Sequence, residues 1–224
     1  HKPNDYYTYG GIIRGVTAEI VPDVFIQQSH FTSTMTATGW RGRLQVTVTN
    51  TAATAQVVSV KAQLAGHQVQ LEPQTVAGQT PATFEWQTDF HQVTAWTPAQ
   101  PQLYLATTEL IQDGQVIDDL VERVGFRQVK VVGNRIQLNG QSVFLQGFNR
   151  HEDSVAFGCA LPFQQIVQDL DLMVDMGANA VRTSHYPNDQ RFLDLCDERG
   201  LLVWEEAPAR GVTLAQMQNP NFDQ

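Results

Sequence analysis

The residues with most chemistry in this chain fall into three short clusters: Asn149-Arg150-His151-Glu152-Asp153, Arg182-Thr183-Ser184-His185-Tyr186, and Glu205-Glu206. Imidazoles exchange protons near neutral pH and hydrogen-bond hydroxyl groups. Guanidinium forks brace carboxylates. Carboxylates serve as acids, bases or metal ligands. None of the clusters decides the chemistry alone. A single histidine after a strand is ordinarily a solvated or capping residue. His151 and Glu152 have the types of metal ligands, but no histidine pair at i, i+4 spacing completes a site. Glu205 and Glu206 are a tempting acid/base pair, yet adjacent strand residues point to opposite faces, so both cannot enter one pocket.

The elements that carry the clusters change this. Each follows a short strand: Val143-Phe144-Leu145 running into Gly147-Phe148-Asn149, then Asn179-Ala180-Val181-Arg182, then Leu201-Leu202-Val203-Trp204. Between the first two lies a helical stripe of Phe163, Ile166, Val167, Leu170, Met173 and Val174, opened by Pro162 and stopped by Gly177. Between the last two lies a shorter helix with Phe192, Leu195 and Cys196, which Asn188 is expected to cap and Gly200 to end. This βαβαβ order predicts a parallel sheet with right-handed crossovers. The polar clusters all sit at the C-terminal strand ends, where a (β/α) barrel places its active site. A doubly wound nucleotide-binding sheet would need a glycine-rich turn after its first strand, and none is present.

Before Gly125 the pattern is different. Leu44 to Thr49 alternates strictly, Val57 to Leu64 and Leu103 to Ile111 continue the style, and Asp113-Gly114 turns the chain back into Val116 to Val124. No helical period appears from Val24 to Gly125, so this stretch reads as an immunoglobulin-like β-sandwich. The expected organisation is β followed by α/β. Residues 1–22 end a preceding domain, 23–125 form the sandwich, and 126–224 form the first part of a TIM barrel.

The net charge of -9, from 23 acidic and 14 basic residues, argues against nucleic acid or an anionic membrane as partner. No run reaches the length of a membrane span. The two cysteines, Cys159 and Cys196, have no motif spacing, and no Asn-x-Ser/Thr sequon occurs; both features fit a cytoplasmic setting. The first residue is His1, so the chain is read as a piece of a longer protein.

Gly147-Phe148-Asn149-Arg150-His151-Glu152-Asp153 and Asn179-Ala180-Val181-Arg182-Thr183-Ser184-His185-Tyr186-Pro187 resemble two signatures of the β-galactosidase/β-glucuronidase family, glycoside hydrolase family 2. Leu195 to Leu201 with Val203-Trp204-Glu205-Glu206 is similar to the family element that follows. Gly10-Gly11-Ile12-Ile13-Arg14 resembles the end of its N-terminal jelly roll, Trp96 to Tyr104 a turn of its sandwich, and Gly125-Phe126-Arg127 its sandwich-to-barrel junction.

The resemblance implies a retaining exo-β-glycosidase, with β-galactosidase the first expectation and β-glucuronidase the alternative. The catalytic pair would be two glutamates on the fourth and seventh barrel strands, beyond Gln224, so the chain alone is expected to be inactive. By resemblance His151, Arg182 and His185 bind the sugar, with Asn149 and Glu206 in support. Large β-galactosidases carry Glu-x-His after the third strand as Mg²⁺ ligands. Here the stretch reads Glu206-Ala207-Pro208-Ala209-Arg210-Gly211, so no metal and no cofactor are expected. The expected partners are a β-linked sugar and further copies of the chain, since an incomplete barrel leaves strand edges and Leu145, Val181, Leu202 and Trp204 exposed. The competing reading is a carbohydrate-binding or scaffold module using Trp40, Trp86 and Trp96 as an aromatic platform.

Overall fold

The computed structural model describes residues 9–207 and 212–219. It separates into two compact units: Thr17–Phe144, and the residues up to Val16 together with those from Leu145 onward.

The first unit is built from antiparallel strands. Strands β1 (Val24–Met35), β2 (Trp40–Asn50), β3 (Gln56–Leu64), β4 (His67–Gln70), β5 (Gln74–Val76), β6 (Thr80–Phe90), β7 (Tyr104–Gln112) and β8 (Gln115–Val124) form the sandwich. One sheet has the order β1-β2-β6; the other runs β4-β3-β7-β8, with β5 also on β3. The alternation in β2 is the physical cause. Leu44, Val46 and Val48 point inward and meet Val58, Val60, Ala62 and Leu110 of the second sheet, with Phe84 between them. The Asp113-Gly114 pair takes left-handed backbone conformations (φ 51° and 78°), the twist a two-residue hairpin needs. A second cluster gathers Trp40, Leu64, Phe90 and Ala106 around Phe126. Trp40 and Trp96 are buried and Trp86 packs half-buried against the core. The aromatic platform of the competing reading is therefore absent among the described residues: these indoles supply core volume, and two have no face left for a sugar. Strands β9 (Val129–Val132), β10 (Arg135–Leu138) and β11 (Gln141–Ser142) make a small antiparallel sheet that closes this unit.

The second unit has three parallel strands, β12 (Gly147–Arg150), β13 (Ala180–Thr183) and β14 (Leu202–Glu205). Helix α1 (Phe163–Asp175) links the first two and α2 (Gln190–Arg199) the last two; a short α3 (Leu214–Met217) follows. Ile166 and Leu170 of α1 and Phe192, Leu195 and Cys196 of α2 pack on Val181 from one side of the sheet. Burial pushes the Cys196 thiol up to about 12, so it behaves as an apolar filler. Val181 points to this helix side and is buried, contrary to the expectation that it would meet water. Trp204, one residue out of phase, faces the other way and is 61% exposed.

The cap of α2 also differs from expectation. Asp189, not Asn188, is the N-cap, its carboxylate accepting the Arg191 amide. Asn188 is instead buried, where its Oδ1 accepts from Arg150. Both side chains can cap a helix; the buried guanidinium claims the first and leaves the second.

Candidate functional site

Register places the site. Asn149, Arg182 and Trp204 are paired across β12, β13 and β14, so all three point to the sheet face opposite the helices. They line an open cavity of about 230 Å³ with Leu145, Gly147 and Ala180. Gly147 is required here: a Cβ on it would lie 1.7 Å from the carbonyl oxygen of Ala180.

Past the strand ends the polar groups converge. Arg182 donates Nε and Nη2 to Glu206 Oε1 at 2.8 and 2.5 Å, and Nη1 to Asn149 Oδ1 at 3.1 Å. His185 Nδ1 lies 2.7 Å from Glu206 Oε2. The Glu206 amide donates to Thr183 Oγ1, which fixes the chain as it leaves β14. The hydrogen bond from His185, with the Arg182 guanidinium, holds the Glu206 carboxyl below its ordinary range despite its partial burial. Both carboxylate oxygens are thus engaged.

His151 lies across from His185, the rings edge to face with centroids 5.4 Å apart. Tyr186 Oη accepts the Glu152 amide at 3.0 Å and lies 3.5 Å from His151 Nδ1. The two imidazoles face each other past the strand ends and can hydrogen-bond neighbouring hydroxyl groups. Desolvation raises the Tyr186 hydroxyl, which stays protonated.

All five expected site residues, Asn149, His151, Arg182, His185 and Glu206, come together in this cluster. Three more residues of the same sequence clusters, to which no site role was assigned, also take part. Tyr186 adjoins His185 and had no signal beyond its neighbour. Arg150 is buried under the sheet, donating to Asp169 and Asn188 and stacked on Phe192. Glu152, weighed only as a metal ligand or acid, is 3% exposed and accepts the Asp189 amide. Among the described residues no three of His, Cys, Asp and Glu are grouped to hold a metal. The stretch 208–211, including Arg210, lies outside the described residues.

A polar cluster at the C-terminal ends of parallel strands, in a chain that also carries a β-sandwich, defines a multidomain protein of the (β/α)-barrel class. Residues 24–127 match the model of "Glycosyl hydrolases family 2" and residues 129–224 that of "Glycosyl hydrolases family 2, TIM barrel domain". The chain belongs to glycoside hydrolase family 2.

It is 30% identical to a β-galactosidase of Lactobacillus delbrueckii subsp. bulgaricus over 92% of its own length and 20% of that protein. It is 35% identical to a β-glucuronidase of Streptococcus agalactiae over 68% of its length and 24% of that protein. The crystal structure of a β-galacturonidase from Eisenbergiella tayi, bound to galacturonate, superposes with a TM-score of 0.93 at 42% identity, covering 99% of this chain and 40% of that one. The chain thus spans between about a tenth and two fifths of the length of the relatives it matches.

Proposed function

We propose that the full-length protein is a retaining exo-β-glycosidase and that Asn149, His151, Arg182, His185 and Glu206 form part of the subsite for its terminal sugar. The observation that carries this is the Asn149–Arg182–Glu206–His185 network at the strand ends, with His151 facing it. Retaining hydrolysis needs two carboxyl groups about 5 Å apart, one of them protonated. Held ionised, Glu206 is unsuited to give a proton, and both its oxygens are already engaged by Arg182 and His185, which leaves neither for attack on a sugar. It orients His185 instead. The nucleophile and the acid/base lie, on this reading, on later barrel strands. The chain of residues 1–224 alone then turns over no aryl β-glycoside, and turnover by it that disappears in Glu206→Gln would overturn the assignment.

Identity of 42% over nearly the whole chain with a galacturonidase supports a galacturonide as the sugar. This moves the expectation from a neutral galactoside to its C6 carboxylate analogue. The test uses the full-length protein with 4-nitrophenyl β-galacturonide, β-galactoside and β-glucuronide. The galacturonide should give the highest kcat/KM, and His185→Ala should lower it about 10²-fold, the scale of losing one preorganised hydrogen-bonding group at the reacting sugar. An unchanged kcat/KM in His185→Ala would remove the subsite reading. A preference for another sugar would remove only the galacturonide.

A further inference from the structure

Arg14 stands in Gly10-Gly11-Ile12-Ile13-Arg14, outside any helix or strand, 138 positions before its partner Glu152. Its Nη2 donates to Glu152 Oε2 at 2.6 Å and to the Pro187 carbonyl at 2.8 Å. Glu152 is nearly inaccessible to water, whereas the Arg14 side chain is 40% exposed. A carboxylate buried to this extent needs a close cation. Arg150 is a second cation, its Nη1 3.9 Å from Glu152, but its short bonds go to Asp169 and Asn188. The short contact comes from Arg14.

Glu152 in turn joins the two loops that carry the histidines. Its Oε1 accepts the Asp189 amide at 2.8 Å, in the loop after β13. Its own amide donates to Tyr186 Oη, which contacts His151. The bond from Arg14 to Pro187 draws on the same β13 loop from outside. One guanidinium thus neutralises the carboxylate that ties the His151 loop to the His185 loop and also holds the second loop directly.

We propose that Arg14 is a positioning residue of the sugar site, acting through Glu152 to set the spacing of His151 and His185. The inference rests on the subsite reading above. Without Arg14, Glu152 keeps only the more distant Arg150 and has either to shift toward that guanidinium or to turn toward water. Either change loosens its hold on the Asp189 amide and lets the two loops separate.

The test is made on the full-length protein with the aryl glycoside it hydrolyses best. Arg14→Ala should lose about tenfold in kcat/KM, with Arg14→Lys between it and the wild type, because an ammonium supplies the charge without the fork. Guanidinium chloride at a non-denaturing concentration should restore much of the Arg14→Ala activity and leave the wild type unaffected. In a Glu152→Gln background, where no buried charge needs neutralising, Arg14→Ala should cost less than about twofold. A wild-type kcat/KM in Arg14→Ala would overturn the proposal. So would a loss that guanidinium does not relieve and that is equally large in Glu152→Gln, since that pattern marks a general brace of the fold. His185→Ala, run in parallel, keeps the two ideas apart: if it is silent the subsite reading fails, and if it is damaging while Arg14→Ala is silent only the Arg14 role fails.

Discussion

Glu206 shows how a carboxylate within a polar cluster can be committed to orienting its neighbours. Its oxygens divide between Arg182 and His185, and this keeps its carboxyl below the ordinary value of 4.5. A depressed value means that the folded state holds the proton less tightly than the unfolded chain. The stabilisation is complete above the unfolded value and is lost as pH falls through the folded one. Asp189, lowered chiefly by its hydrogen bond from Arg191, acts in the same direction. Melting temperatures taken from neutral pH downward should therefore hold until about pH 4.5 and then fall, less steeply in Glu206→Gln than in the wild type. Equal acid slopes would show that the carboxyl is not coupled to folding. Glu206→Gln leaves one acceptor oxygen where two carboxylate oxygens now meet Arg182 and His185, so one of the two contacts is lost. The convergence of His151, Arg182 and His185 was legible because they stand at the C-terminal ends of neighbouring parallel strands, while the sugar-binding roles expected of them came from the resemblance alone. The role of Glu152 was not legible, because nothing in the local sequence marks a residue whose partner lies 138 positions earlier.

At the scale of elements, the parallel sheet sets the site by its hydrogen-bonded register, and Gly147 is where two strands come closest. Any side chain there meets the backbone of Ala180, which cannot move without shifting β13 and Arg182 with it. Gly147→Ala should destabilise the parallel unit by about 1–3 kcal/mol, the usual cost of overpacking, and should separate Asn149 from Arg182. Thermal unfolding and the kcat/KM of the full-length protein measure both effects, and wild-type values of both would contradict the close approach. The elements themselves were largely readable, since strict alternation in β2 and the apolar stripe of α1 each admit one secondary structure. What the pattern could not settle was competition between adjacent residues with the same chemistry. Asn188 and Asp189 both suit a helix cap, and only the buried Arg150, brought in by folding, decides between them.

At the scale of the molecule, β12 and β14 each have a neighbour on one side only among the described residues. Trp204, Met176 and Leu172 are 61%, 71% and 56% exposed in the same unit. Unpaired parallel edges and apolar surface favour association. We therefore expect the chain of residues 1–224 to sediment as a dimer or larger species at micromolar concentration; a monomer at every concentration would count against it. The arrangement of the indoles has a further consequence. Of the four tryptophans, two are sealed inside the sandwich and Trp86 is half covered, while Trp204 alone stands largely in water, in line with Asn149 and Arg182 across the sheet. Its emission should be the red-shifted, iodide-quenched part of the protein's fluorescence. The molecule thus carries its own optical gauge beside the polar cluster, one whose colour reports whether that face of the sheet is wet or covered.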